Sequence, residues 1–433
     1  MIALALLVLL VVGVPVGVAF ALIVMVRAEA WSIELSSLAS IPYDTVSSFP
    51  LLAIPLFLLG GELMNRGGLI RQLTAVCDIL LGWVRAPLGH VMILASALMG
   101  AITGSSVATV AAIGGTVGRE MSLRGYPRGY TAALNASAGL LGVLIPPSIP
   151  LILYGSIVGV SITQLFLASV MPGIVMMLAL GVVHAWMSRH VLPGGQELVA
   201  GAQPTTHAAV DGRMVQRSMA AIMTRSIPAL MLPVLVLGGI YSGIFTPTEA
   251  AAVAALYALL VTVLGRMTKF GELNGIFARA ALSSAAILVI IGFTSIFNRA
   301  MVLEQVPQSI AGYATGFTDS ALVFLLVVNL VLLLIGMFME TNAATLLMGP
   351  LLAPAAAKFG IDPVHFAIIL VTNIEIGLLT PPMAANLYVA ARTNNADLVS
   401  LLRYLGWFLV AALLVMATIT YVPQLSLWYR YFF

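Results

Sequence analysis

The amino-acid sequence predicts an all-α protein that crosses a membrane many times. Of its 433 residues 61% are hydrophobic and only 8% are charged, and the mean hydropathy is +1.09. A water-soluble domain carries about 25% charged residues. A helix needs about 20 apolar residues to span the hydrocarbon core, and such stretches recur between Ile2 and Tyr421. Two further features refine this prediction: an internal repeat, and two apolar stretches that polar residues interrupt.

The apolar stretches predict the following spans: 2–26, 49–65, 131–153, 163–187, 226–242, 248–265, 277–297, 364–391 and 404–422. The stretches 87–118 and 321–357 differ, because small polar residues interrupt each of them near its centre. The longest polar connection, 188–225, is predicted to be a flexible linker. The net charge of +3 comes from basic residues in short loops, where they act as topology signals rather than as a nucleic-acid surface.

Lysine and arginine residues orient the chain. Several of them occur in each of the segments 66–85, 119–130, 188–225 and 266–279. Segments 27–48 and 298–319 contain one arginine each. The positive-inside rule places the first group in the cytoplasm and the second group outside. Both ends of 87–118 then lie inside and both ends of 321–357 outside, which predicts two re-entrant hairpins that enter from opposite faces.

The two halves of the chain resemble each other. Residues 98–109, LMGAITGSSVAT, match residues 334–345, LIGMFMETNAAT. Further on, GVLIPP at 142–147 matches GLLTPP at 377–382, with nearly the same separation. Duplication with opposite topology is typical of secondary transporters. The predicted fold is therefore two inverted-topology repeats with re-entrant hairpins and broken helices.

Three segments follow from this repeat. Residues 1–187 form the first copy, 188–247 the cytoplasmic linker and a connecting span, and 248–433 the second copy. Each copy is predicted to contain scaffold spans, an amphipathic arm, a hairpin and a broken span. The arms are 66–85 and 299–318, the hairpins 87–118 and 321–357, and the broken spans 131–153 and 364–391.

The interruptions place oxygen donors at membrane depth. Non-helical backbone is tolerated there only where it is buried in protein or lines a cavity. The freed carbonyls and the hydroxyl or amide oxygens near Ser106 and Asn342 are neutral ligands suited to Na⁺, and helix N-termini at the same tips favour an anionic substrate. The alternative is that these side chains bond helix carbonyls or allow close helix packing. Their duplication favours the ion sites.

Two proline pairs predict breaks in the helices that face the hairpin tips. Pro146-Pro147 and Pro381-Pro382 remove backbone donors and push the preceding residue out of helical conformation.

Glu375 lies in an apolar run, where an ionisable group is costly. It binds a cation or a proton, faces the cytosol, or pairs with a residue such as Arg392; the sequence leaves these alternatives open.

No enzyme class has support in the sequence. The chain contains no P-loop, HExxH or GxSxG motif, and its five histidines are dispersed along the sequence. Without a nucleotide-binding motif, transport has to be driven by an ion gradient or by a separate ATPase.

Several motifs resemble one known family in collinear order: FPLLAIPLF at 49–57, GSSVAT at 104–109, IPPSIP at 145–150, GIFTPTEA at 243–250 and GLLTPP at 377–382. They are similar to the large (M, DctM-like) subunit of tripartite ATP-independent periplasmic (TRAP) transporters. The resemblance implies an elevator-type, Na⁺-driven importer of carboxylate-bearing substrates, organic acids or acidic sugars, in a bacterial inner membrane. It also implies two partners, a periplasmic substrate-binding protein and a small four-helix membrane subunit.

By position, the resemblance implies two sodium sites and a substrate site. Sodium site 1 consists of Gly104, Ser105, Ser106, Thr109, Gly142, Ile145 and Ser148. Sodium site 2 consists of Thr341, Asn342, Thr345, Gly377, Thr380 and Pro381. The substrate ligands are Ser106, Asn342, Asn373 and Asn386. Two other functions remain open: a self-sufficient divalent-anion/sodium symporter, and a membrane assembly protein that does not transport.

Overall fold

The protein is described by a computed structural model that covers residues 5, 8–9, 12–28, 35–191, 207–210, 213–216, 219–382 and 384–432. Helices make up nearly all of this part of the chain. Five of the helices there, and the broken span Arg128–Val158, are long and apolar enough to cross a bilayer. The prediction of an all-α polytopic membrane protein is confirmed.

The first half contains eleven helices: α1 (Val16–Arg27), α2 (Leu35–Val46), α3 (Ala53–Arg66), α4 (Leu69–Leu81), α5 (Pro87–Thr103), α6 (Ser106–Ile113), α7 (Arg119–Leu123), α8 (Arg128–Ala138), α9 (Leu141–Leu144), α10 (Ile149–Val158) and α11 (Ile162–Val191) among the described residues. A 3-10 turn, Phe49–Leu52, precedes α3, and a π-helical turn, Gly114–Gly118, joins α6 to α7.

The second half contains the helices α12 (Met219–Tyr241), α13 (Pro247–Leu264), α14 (Phe270–Leu303), α15 (Val306–Phe317), α16 (Ala321–Phe338), α17 (Thr341–Lys358), α18 (Pro363–Gly377), α19 (Ala385–Thr393), α20 (Leu398–Tyr421) and α21 (Pro423–Ser426). A 3-10 turn, Trp428–Tyr431, follows α21. Between the halves lie two short antiparallel strands, β1 (His207–Val210) and β2 (Arg213–Gln216), which the sequence did not predict. The rest of the predicted linker at 192–206, 211–212 and 217–218 lies outside the described residues.

The N-terminal part differs from the predicted span 2–26. Helix α1 begins at Val16, and residues 5, 8 and 9 before it are also helical. Gly13, with a left-handed φ of +88°, and Pro15, which lacks an amide proton, break the helix between them. Residues 1–4, 6–7 and 10–11 lie outside the described residues. The structure also contains a helix, α2, within the segment 27–48 that was predicted to be a loop.

The second arm is shorter than predicted. Helix α14 continues without interruption to Leu303, so the arm expected at 299–318 consists only of α15. Gln305, with a φ of +53°, separates the two helices. The first arm agrees better, since α4 fills most of 66–85.

The order of the helices around each hairpin recurs in the two halves. The α5–α6 break at Gly104 corresponds to the α16–α17 break at Glu340, and α10 corresponds to α19. From α5 and α16 onward, equivalent helices begin about 235 residues apart, the separation of the matched motifs. This recurrence supports two structural copies. Their opposite orientation in a membrane stays a prediction.

Packing divides the helices into two groups. The hairpin helices α5, α6, α16 and α17 pack with the broken helices and with α11 and α20. Helices α1, α2, α3, α13 and α14 pack with one another in a second group. The arms lie between the groups: α4 contacts α5, and α15 contacts α17.

We expect the two arms to lie on opposite sides of the membrane. Leu80 on α4 and Ser309 on α15 are both exposed, whereas the native Cys77 is fully buried. In a Cys77→Ser background, Leu80→Cys should react with a membrane-impermeant maleimide only from the cytoplasm, and Ser309→Cys only from the periplasm. Labelling of both positions from the same side would contradict the inverted repeat.

Candidate functional site

The first hairpin ends in a tip that contacts the first broken helix. Gly104 adopts a left-handed φ of +62°, which reverses the chain between α5 and α6. Its carbonyl oxygen accepts a hydrogen bond of 3.2 Å from the backbone N–H of Ile149, the first residue of α10. A side chain at Gly104 would lie only 2.8 Å from the Pro147 carbonyl oxygen. The tip and the break predicted at 146–147 are therefore in direct contact.

The predicted members of sodium site 1 lie together at this contact. A Cβ atom at Gly142 would come within 2.6 Å of Thr109 Oγ1 and 2.8 Å of the Ser105 carbonyl oxygen. Ile145 is no longer helical: its backbone is extended, with a ψ of 120°. Ser148 is fully buried and its hydroxyl has no hydrogen-bond partner. Oxygen atoms from both the tip and the break thus converge here.

Thr103 also belongs to this tip, although the sequence did not single it out. Its hydroxyl lies 3.2 Å from Thr109 Oγ1 and donates to the Met99 carbonyl oxygen over 3.1 Å. The matched position in the other hairpin is Met339, so the repeat offered no signal for this residue.

The second tip is built differently. Glu340 is the N-cap of α17: its carboxylate accepts hydrogen bonds from the backbone N–H groups of Asn342 (3.0 Å) and Ala343 (3.3 Å). It also accepts one from the Asn342 amide nitrogen at 2.7 Å. The expectation that both helix N-termini are available to an anionic substrate is therefore wrong for α17, whose N-terminus already holds a carboxylate. At the first tip a neutral hydroxyl, Ser105 Oγ, caps α6 with a bond of 3.5 Å.

Matched glycines let each hairpin approach its broken helix. A Cβ atom at Gly100 would lie 2.6 Å from the Leu141 carbonyl oxygen, and one at Gly336 would lie 2.5 Å from the Ile374 carbonyl oxygen. Gly142 and Gly377 are the opposing residues. Any larger side chain would separate the helices, and this steric limit explains why glycine occurs at the matched positions of both halves.

Glu375 lies where the two halves meet. Its side chain is only 1% exposed, and Oε1 accepts a hydrogen bond of 2.7 Å from Thr341 Oγ1 at the second tip. Ser106 at the first tip interacts with the same carboxylate. Its other oxygen, Oε2, has no hydrogen-bond partner. Burial contradicts the alternative that Glu375 faces the cytosol, and Thr341 rather than Arg392 is its partner.

Other members of sodium site 2 offer unpartnered oxygens. Asn342 Oδ1 and Thr345 Oγ1 are buried without a hydrogen-bond partner. Unpartnered buried polar atoms are rare in proteins and require an explanation such as a bound ion or water. Pro381, by contrast, is exposed and Thr380 half-buried. Gly377, at the end of α18, packs against Gly336 in the helix that leads to the second tip.

The predicted substrate residues do not all lie together. Asn373 donates to Asn329 Oδ1 in α16 and to the Ile369 carbonyl oxygen, both at 2.8 Å. Asn329 in turn accepts and donates hydrogen bonds with Thr420 of α20. The Asn373 amide nitrogen thus joins packed helices, whereas its Oδ1 is buried without a hydrogen-bond partner, and its role as a substrate ligand stays a prediction. Asn386 is fully buried in α19, which packs against α6, and neither of its amide atoms has a partner.

Two of the dispersed histidines do meet in the structure. The rings of His90 and His184 lie 4.7 Å apart, and Tyr130 Oη is 2.6 Å from His184 Nδ1. His184 Nε2 lies 3.0 Å from the Ala86 carbonyl oxygen. This cluster joins α5, α8 and α11 away from the tips, so it fixes the base of the first hairpin to its neighbours.

Comparison with known proteins decides the family. Residues 3–425 match the family model described as "Tripartite ATP-independent periplasmic transporter, DctM component". The chain belongs to this family. It is 38% identical to the C4-dicarboxylate TRAP transporter large permease protein DctM of Pseudomonas aeruginosa, over 91% of this chain and 89% of the relative.

The permease is also 37% identical to the isethionate TRAP transporter permease protein DctMQ of Oleidesulfovibrio alaskensis, over 97% of this chain. It spans 64% of that relative's length. Among solved structures, the YdaH transporter of Alcanivorax borkumensis superposes with a TM-score of 0.63 at 16% identity, covering 92% of this chain and 89% of the transporter. That likeness supports the fold.

Family membership confirms three predictions. The chain is a TRAP transporter large permease, it is a multi-pass protein of the bacterial inner membrane, and it is not an enzyme. The family description makes it one component of a three-part, ATP-independent system.

Proposed function

We propose that this permease imports a small organic anion and couples import to the inward movement of Na⁺. The observation that carries the proposal is the set of buried oxygen atoms without partners at both hairpin tips: Ser148 Oγ, Asn342 Oδ1, Thr345 Oγ1 and Glu375 Oε2. A buried oxygen without a partner costs roughly 1–3 kcal/mol. A bound Na⁺ would satisfy several of these oxygens at once.

The first proposed ion site uses neutral ligands. Its candidate donors are the backbone and hydroxyl oxygens of Ser105, Ser106, Thr109, Ile145 and Ser148, with Gly104 and Gly142 providing the close approach. The second site uses Asn342 and Thr345, with Gly377 facing the hairpin. We assign Glu375 to the second site as well, because Thr341 holds its carboxylate beside that tip.

The substrate is proposed to bind at the first tip. There the N-terminus of α6 is capped only by a hydroxyl, so its positive dipole end remains available to an anion. Ser106 and Asn386 are the proposed polar contacts. The names of the two relatives specify a C4-dicarboxylate and isethionate, and both are anions. Organic acids and acidic sugars are the substrate class that we propose.

Transport is proposed to occur by an elevator movement. Each ion site draws ligands from a hairpin and a broken helix that pack tightly together. Separating them would strip a bound cation of ligands in a dry environment, which costs several kcal/mol. Moving both as one body avoids that cost. Since α11 and α20 pack on the broken helices, we place them in the moving body rather than in the frame.

Two partners complete the proposed function. A periplasmic binding protein delivers the substrate, and a small four-helix membrane subunit braces the frame formed by α1, α2, α3, α13 and α14. The tripartite family description supports this arrangement.

Reconstituted uptake tests the proposal. Proteoliposomes containing the permease with both partners, supplied with the radiolabelled ligand of the binding protein, should accumulate it under an inward Na⁺ gradient. Replacing external Na⁺ by choline should abolish accumulation. Uptake by the large subunit alone would favour a self-sufficient symporter instead, and no uptake under any gradient would favour an assembly protein.

Hydroxyl groups at the tips are expected to contribute to ion affinity. We predict that Ser106→Ala and Thr345→Val each raise the Na⁺ concentration for half-maximal uptake about 3- to 10-fold, the equivalent of one net hydrogen bond. Thr345→Val retains the shape of a side chain that is 1% exposed. Thr116→Val, which removes a hydroxyl bonded only within its own hairpin, is the matched control. Unchanged Na⁺ dependence in both variants would leave backbone carbonyls as the ligands.

A further inference from the structure

A basic cavity lies where the first arm joins the frame. It has a volume of about 530 Å³ and is lined by Glu62, Asn65, Arg66, Gly68, Arg71 and Arg279. These residues come from the end of α3, the start of α4 and the N-terminal part of α14. The segments that contain Arg66 and Arg279 are both cytoplasmic by the positive-inside rule. The cavity therefore opens at the cytoplasmic surface of the membrane.

Positive charge in the cavity is only partly compensated. Glu62 Oε1 lies 2.6 Å from Arg279 Nε and 3.5 Å from Arg66 Nε, so one carboxylate serves two guanidinium groups. Arg71 forms no ion pair within the described residues. It also lies in the first turn of α4, where the helix dipole disfavours a cation. An anion in the cavity would compensate all of these charges together.

Exposed apolar side chains lie beside the cavity, and they favour a lipid over a soluble ion as its ligand. Leu282 and Val289 are 70% and 52% exposed and follow Arg279 along one face of α14, about one and three turns further into the membrane. A headgroup held by the arginines would place its acyl chains against this face. Basic pockets between helices on the cytoplasmic side are suited to anionic headgroups.

We propose that this cavity binds the phosphate-bearing headgroup of an anionic phospholipid of the inner leaflet. The bound lipid contacts the frame through Glu62-bound Arg279 and the arm through Arg71, and it therefore stabilises the position of the arm relative to the frame. This inference is independent of the sodium and substrate sites.

Native mass spectrometry of the full-length chain, titrated with phosphatidylglycerol, tests the proposal. Phosphatidylglycerol should bind more tightly than diacylglycerol with the same acyl chains. Each removed guanidinium should weaken binding about fivefold, so Arg71→Gln combined with Arg279→Gln should weaken it about 25-fold. Arg85→Gln, an exposed arginine beyond the other end of α4, should leave it unchanged. Equal binding of the two lipids, or an unaffected double variant, would overturn the proposal.

A second variant keeps the test decisive if the double variant does not fold. Glu62→Gln removes the only carboxylate of the cavity and should tighten phosphatidylglycerol binding about fivefold. Weaker or unchanged binding would contradict the charge argument. Inorganic phosphate in large molar excess should not displace the lipid. Complete displacement would mean that the cavity is a site for a free anion.

Discussion

Replacing Glu375 by glutamine is expected to raise the Na⁺ concentration for half-maximal uptake about 10- to 100-fold. Glutamine retains the size of the side chain and its bond to Thr341, but removes the negative charge beside the second tip. Interactions with a charged group are worth roughly 1.5–3 kcal/mol, which corresponds to this range of affinity. Na⁺-dependent uptake into proteoliposomes measures the effect.

Stability separates a role in ion binding from a role in packing. We expect Na⁺ to raise the melting temperature of the wild-type permease in detergent, because a ligand that binds only the folded state stabilises it. Glu375→Gln should lose most of this increase, whereas Glu272→Gln, at an exposed position of α14, should retain it. If Glu375→Gln lowers stability but responds to Na⁺ like the wild type, Glu375 is a packing residue and not an ion ligand.

A disulfide between the frame and the moving body is expected to abolish uptake reversibly. A Cβ atom at Gly61 of α3 would lie 3.7 Å from the Cβ of Thr103 of α5, which suits a disulfide. Gly61→Cys with Thr103→Cys, in a Cys77→Ser background, should therefore cross-link under mild oxidation. Because α5 has to slide past α3 in an elevator, uptake should fall to background and return after reduction.

A cross-link within the frame provides the control. Gly17 of α1 and Phe293 of α14 are similarly close, with 3.4 Å between the ideal Cβ and the Phe293 Cβ. Gly17→Cys with Phe293→Cys should form a disulfide without blocking uptake. Each single variant has to transport before oxidation. Full uptake by a verified Gly61–Thr103 cross-link would exclude the elevator and require local gating at the tips.

Much of the fold follows from local sequence physics. Proline pairs at 146–147 and 381–382 break helices wherever they occur, and the small polar residues at 104–106 interrupt an apolar helix. The structure has a break at each of these places. The extent of α14 was less predictable, since the apolar run 277–297 stops before the polar residues that continue the same helix to Leu303. The sequence analysis did not predict helix α2, because its sequence is only moderately apolar and contains Pro42.

The sequence by itself determined the membrane class and the places where the helices break at the two tips, because hydrophobicity, proline and glycine act on the chain locally. Only the tertiary structure decided which polar side chains meet. In the structure Asn373 lies in a helix–helix contact, and the carboxylate of Glu340 caps the N-terminus of α17. The side chain of Glu375 lies between Thr341 and Ser106. These outcomes depend on the rotation of each helix about its axis, and long-range packing in the assembled core sets that rotation.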